Sequence, residues 1–249
     1  MRRLTLLLAV ALLAGCGGNG ASKVVQQTAE NIRDIRSGVL HVKLLVEPHA
    51  PGASQPFGFQ LDGPFNLGKN GAPPTAHLDY TQTANGTSDT ATLDLRANGG
   101  SIITHGTTHE LTPSVLGMLR GVAKTAGSQS SQFLPVQDWV KHAKEHSCGA
   151  NDCVDGDLDV VKATNDLLGL ARALGRNVPE IKGADADQLK KSVRAGTFEL
   201  VTGKTDRLLR RLVVHLQLGL DVPASLSAAL GSVVGATFTL DFGVDRPNS

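Results

Sequence analysis

Residues 209–218 read Leu-Arg-Arg-Leu-Val-Val-His-Leu-Gln-Leu. Leu212, Val214, Leu216 and Leu218 recur at every second position, with Arg211, His215 and Gln217 between them. Successive side chains of an extended chain point to opposite faces, so this alternation predicts a long strand over 207–220 with one face for a core and one for water. On its N-terminal side Thr197 to Val201 keeps the same period and is joined to it through the turn Thr202-Gly203-Lys204-Thr205-Asp206. On its C-terminal side Phe238, Leu240 and Phe242, set against Thr237, Thr239 and Asp241, close the chain as a last strand.

The same period opens the chain's first half. Leu40, Val42, Leu44 and Val46 fall on one side, with His41, Lys43 and Leu45 on the other, until Pro48 to Pro56 break the run. Phe57, Phe59 and Leu61 then alternate with Gly58, Gln60 and Asp62, so the two runs form a hairpin. His77 to Thr83 and Thr90 to Ala97 flank Asn85-Gly86, a dipeptide suited to tight connections. Leu93 and Leu95 alternate there with Thr92, Asp94 and Arg96. Asn98-Gly99-Gly100 turns the chain into Ser101 to Thr104, and a short strand follows at 107–111. The first half is an antiparallel meander with one apolar face.

Helical spacing interrupts the strands in five places. Ser22 caps a helix with Val25, Ala29, Ile32 and Ile35 on one side, ending near Ser37-Gly38. Thr112-Pro113 opens a second, striped by Val115, Leu116, Met118, Leu119 and Val122. Pro135 to His146, with the single tryptophan Trp139, reads as a third. Asp157 or Asp159 caps a fourth through Val160, Thr164, Leu167, Leu168, Ala171 and Leu174, with Gly175 as its stop. Asp185 caps a fifth that runs to Val193. The acidic run from Asp155 invites a calcium loop with Asp166 in the twelfth place, but Val160 stands where that loop needs glycine. Residues 219–235 are small and apolar; Asp221 and Pro223 argue against a membrane helix there, and a connecting loop with one short helix is preferred to a lid.

The N-terminus carries an address. Arg2 and Arg3, the apolar run Leu4 to Leu13, and then Leu13-Ala14-Gly15-Cys16 match a bacterial lipoprotein signal, in which Cys16 is acylated and becomes the first mature residue. A run of ten residues is too short to span a bilayer of about 30 Å. Two or three acyl chains anchor a protein firmly, at about 0.8 kcal/mol per buried methylene. An ordinary secretory signal is the alternative. Residues 1–15 are thus expected to be signal peptide, 16–21 a tether, and 22–249 one domain held on the extracytoplasmic face of the cell membrane.

Once Arg2 and Arg3 are removed, 22 basic residues face 23 acidic ones, which leaves no field for nucleic acid. Nine aromatics among abundant Leu, Val, Ala and Gly mean an interior of small and branched aliphatics, packed tightly or leaving a hollow. Cys148 and Cys153 flank the turn formers Gly149-Ala150-Asn151-Asp152 in an exported chain, so a disulfide is expected. A zinc site of both thiols with His142 and His146 is the competing reading. No Gly-x-Ser-x-Gly elbow, His-Glu-x-x-His helix or phosphate-cradling glycine loop is present, so no enzyme and no cofactor are expected.

The order of lipobox, tether, helix, antiparallel strands, helices around Val115 and Val160, then the hairpin through Leu209-Arg210-Arg211-Leu212 and a strand at Ala236 to Val244, resembles the actinobacterial LppX/LprG/LprF lipoproteins. Asp206-Arg207-Leu208 before a long strand is the most suggestive local piece. The resemblance implies an α+β fold similar to the LolA-type carriers: a curved antiparallel β-sheet, or half-barrel, with helices packed on its concave face and an apolar cavity between the layers. It further implies binding of the acyl chains of a lipid or lipoglycan and help in moving it across the envelope, with an envelope transporter as a candidate partner. The candidate lining residues are Leu40, Val42, Leu44, Phe57, Phe59, Leu95, Leu119, Leu168, Leu212, Val214, Leu216 and Phe238. The alternative is an envelope scaffold or sensor lipoprotein that uses the sheet as a frame only.

Overall fold

The alternating stretch that begins at Leu209 forms strand β10 (Leu209–Leu218) of a single sheet, seen in a computed structural model that describes residues 18–49, 55–68, 72–84, 86–117, 135–173, 179–219, 223–224 and 235–249. The other strands are β1 (Ser37–Pro48), β2 (Phe57–Asn66), β3 (Thr75–Ala84), β4 (Thr87–Arg96), β5 (Gly99–Thr104), β6 (Thr107–Glu110), β7 (Val140–Cys148), β8 (Asn151–Leu158), β9 (Val193–Gly203) and β11 (Ala236–Asp245). They stand in the order β6-β5-β4-β3-β2-β1-β11-β10-β9-β8-β7, each antiparallel to its neighbour. The sheet is curved and unclosed, with β6 and β7 as its edge strands among the described residues, and a few helices complete the α+β fold. Residues 1–15, Cys16 and Leu119 lie outside the described residues.

Three helices have described bounds: α1 (Gly18–Asn31), α2 (Val160–Ala173) and α3 (Gly183–Ser192). The first starts before Ser22, so Gly18 to Ala21, expected in the tether, are helical, and Ala21 is fully buried. Residues 113–117 are helical where Thr112-Pro113 predicts a start, and the Thr112 hydroxyl accepts from the Val115 N–H at 3.4 Å. Asp159 caps α2: its carboxylate accepts from the Lys162 N–H at 3.2 Å and pairs with Lys141 at 2.8 Å. Burial pushes that carboxyl's pKa up, but these partners outweigh it and hold it below the usual range. Lys182, not Asp185, stands at the N-cap of α3; Asp185 occupies its first turn.

The helix predicted at Pro135 to His146 is not formed. A short 3-10 turn at Val136–Asp138 leads straight into β7, and His142 and His146, one helical turn apart on paper, share a strand. Their rings meet Asp157 at 2.8 Å and Asp155 at 3.4 Å across the β7–β8 pair, so the strand pairing consumes the groups that suggested a helix or a zinc site. Cys148 and Cys153 form a disulfide with Cα atoms 5.8 Å apart, closing the β7–β8 hairpin. Lys204 reaches from the β9–β10 turn to the Ser147 hydroxyl and the Gly149 carbonyl, and Arg207 pairs with Asp152. The Asp206-Arg207-Leu208 segment therefore binds this hairpin to the sheet.

The core lies between β7–β10 and the helices. Trp139, Phe198, Leu200, Ile181, Leu189, Val25 and Val154 are each below 2 % exposed. Trp139 donates its indole N–H to Asp166 of α2 at 2.8 Å, and Asn165 makes both backbone hydrogen bonds of Ile181, at 2.7 and 2.9 Å. Buried polar groups are thus satisfied where the helices meet the sheet. Thr28 of α1 bonds Thr202 of β9 at 3.0 Å, and Thr202 donates to the Leu208 carbonyl at 3.1 Å.

Candidate functional site

Directly opposed residues of antiparallel neighbours share a face, so the register shows which candidates come together. One row runs Leu200, Leu212, Phe242, Val42, Leu61 and Tyr80 across β9, β10, β11, β1, β2 and β3. The next runs Phe198, Val214, Leu240, Leu44 and Phe59, and a third Leu216, Phe238, Val46 and Phe57. Leu40 opposes Val244, two residues along from Val42, and Leu95 opposes Ala76 on β3 and Gly100 on β5. Every predicted lining residue on a strand therefore stands on one face, the face that the helices cover. Leu168 of α2 packs against the core on the same side.

Burial divides this face in two. Leu212, Val214 and Leu216 of β10 are buried beneath the helical layer. Phe238, Leu240 and Phe242 of β11, Leu40, Val42 and Leu44 of β1, and Phe57, Phe59 and Leu61 of β2 are only half-buried. Tyr80 and Leu78 of β3, Leu93 of β4 and Ile102 of β5 continue the half-buried field. Phe59 and Tyr80 stack with ring centres 6.2 Å apart. Leu95 is buried, beside Gly100, whose lack of a side chain admits Leu111 and Leu116. An apolar field spread over six strands and left partly open is more than scattered surface hydrophobes amount to.

The opposite face is polar. Near its middle, on β2, β1, β11 and β10, a cavity of about 420 Å³ is lined by His41, Lys43, Asp62, Arg211, Asp241 and Gly243, among others. Gly243 lies between His41 and Arg211 in the register, so the cavity's floor is a residue without a side chain. His41 meets Asp62 at 2.8 Å and Asp245 at 3.3 Å. The Asp62 hydrogen bond lifts the imidazole pKa above its ordinary value against the opposing effect of burial, and Asp245 adds to it. Arg211 grips Asp241 through Nε at 2.9 Å and Nη2 at 2.7 Å, which holds that carboxyl below its usual range. Sequence reasoning assigned these residues to a solvated face; their signal was the recurrence of Asp opposite His and Arg once the strands are paired.

Among solved structures the chain is similar to LprF from Mycobacterium bovis at 12% identity and TM-score 0.46, over 94% of this chain and 96% of that one. The lipoprotein LppX from Mycobacterium tuberculosis follows at 10% identity and TM-score 0.38, covering 93% and 98%. A LolA superfamily protein from Nitrosomonas europaea matches at 12% identity and TM-score 0.24, over 92% and 94%. No family model and no curated protein matches the chain. What the sheet supplies here is one face of aliphatic and aromatic side chains, shut under helices at one end and half-open at the other. Among the described residues no helix is long and apolar enough to cross a membrane, and no group of three or more His, Cys, Asp or Glu could hold a metal.

Proposed function

We propose that the protein is a lipoprotein acylated at Cys16 on the extracytoplasmic face of the cell membrane, which takes up the acyl chains of a lipid or lipoglycan against the half-open apolar face. The observation that carries this is the partial burial of most inward residues of β11, β1, β2 and β3, Val46, Ala236 and Val244 being buried. Water in contact with such a field is unfavourable at about 25 cal/mol per Å², and alkyl chains laid on it relieve that without needing a polar partner. Leu40, Val42, Leu44, Phe57, Phe59 and Phe238 form the contact surface, whereas Leu212, Val214 and Leu216 support it from the packed side. The resemblance read from the sequence points the same way, and movement of the lipid across the envelope, with a transporter as partner, follows from it.

Native mass spectrometry of the mature domain lacking Cys16, purified from a bacterial host, tests the proposal. Co-purifying lipid, or uptake from vesicles, is the expected result. A bare protein mass that takes up nothing from vesicles would overturn the carrier and favour a scaffold or sensor.

A further inference from the structure

We propose that the edge strand β7 rests against the headgroup layer of the membrane, with the opposite edge strand, β6, held away from it. This rests on acylation at Cys16. Only Gly17 separates Cys16 from the first residue of α1. Consecutive Cα atoms are about 3.8 Å apart, so the acylated residue lies within about 8 Å of Gly18.

The helix cannot swing to lengthen that reach. Ala21, Val24 and Val25 are buried in the core, and Thr28 bonds Thr202 of β9. Toward its start the helix meets β7, where Gly20 lies so close to Glu145 that a Cβ would come 3.3 Å from its carboxylate. The chain thus enters the domain beside the outermost strand of one side. Ten strand spacings of about 4.8 Å, followed along the sheet, separate that strand from β6. A two-residue leash beside one edge of such a sheet keeps that edge next to the bilayer.

The surface presented there is polar and mixed in charge. Lys23 of α1 and Lys144 of β7 are exposed, with Glu145 next to Lys144 and Asp155 opposite it in the register. A register shift between Lys141 and Lys144, with His142 at φ 51°, breaks the regularity of the β7 edge, so the strand is poorly shaped to recruit another strand. A membrane surface makes no such demand.

The test uses the full acylated chain in vesicles of phosphatidylcholine and phosphatidylglycerol that carry a headgroup quencher. A fluorophore is attached through Lys144→p-azidophenylalanine, and in a second protein through His109→p-azidophenylalanine on β6. The expected result is loss of most of the fluorescence at position 144 with little loss at 109, and removal of the difference when a long Gly-Ser insert follows Gly17. Failure of the wild-type protein to float with vesicles would overturn acylation and this inference together. Flotation with equal quenching at both positions, or a difference that survives the insert, would overturn the orientation alone.

Discussion

The two halves of the sheet are written in the same alternating code and end in different states. In the C-terminal half Leu212, Val214 and Leu216 are closed over by α1, α2 and α3 around Trp139 and Phe198. In the N-terminal half Leu44, Phe59 and Leu61 stand on the same face and keep part of their surface outside the core. Side-chain alternation decides which face is apolar; the supply of helical stripes decides how much of it is shut. A sheet that is packed at one end and half-open at the other has a rigid support and a receptive surface in one layer.

The comparison can be broken hardest at Trp139. Trp139→Ala removes a fully buried side chain and orphans Asp166, and is expected to cost about 3–5 kcal/mol in urea unfolding. If the packed half is as tight as described, Leu216→Trp overfills it and costs about 1–3 kcal/mol. Leu44→Trp, the same change on the half-open side, is expected to cost less than about 1 kcal/mol while lowering lipid uptake in the native mass assay. Equal losses of stability at positions 216 and 44 would erase the distinction between the halves.

The smallest effect lies at the seam between them, where His41 links β1 to β2 and β11. Its pKa in the folded protein is raised, first by the Asp62 hydrogen bond, so its contribution is fully present below the unfolded value of about 6.5 and is lost as pH rises through the folded value. Melting curves of the wild type and His41→Gln should differ at acid pH and converge in mild alkali. Divergence in the opposite direction would contradict the pairing.

Much of this was legible beforehand, and the gaps have physical causes. Strands β1 to β6 announced themselves through Leu40, Phe59, Leu93 and the Asn85-Gly86 turn, because each has one wet and one dry side. Strands β7 and β8 did not. At the edge β7 carries Lys141, His142, Lys144, Glu145 and His146, the polar dressing that keeps an edge from recruiting other chains, and this hides the alternation. In β8 the aspartates that read as a calcium loop or cap instead meet histidines of β7. The apolar candidates on the strands were found together on one face, yet their division into packed and half-open sets depends on where the helices lie, which no strand encodes. The outer-face partners of His41 and Arg211 became visible only with the strand order.

That order places β11 beside β1, so that Val39 stands opposite Asp245 and the Asn248 side chain closes on Asp34 and Arg36. The middle of the sheet is therefore joined by segments far apart in the sequence, and its contact order is high. Loop closure on that scale is slow relative to hairpin formation. A chain so connected cannot complete its sheet until β11 has docked against β1, so the seam between the halves is the last part to close.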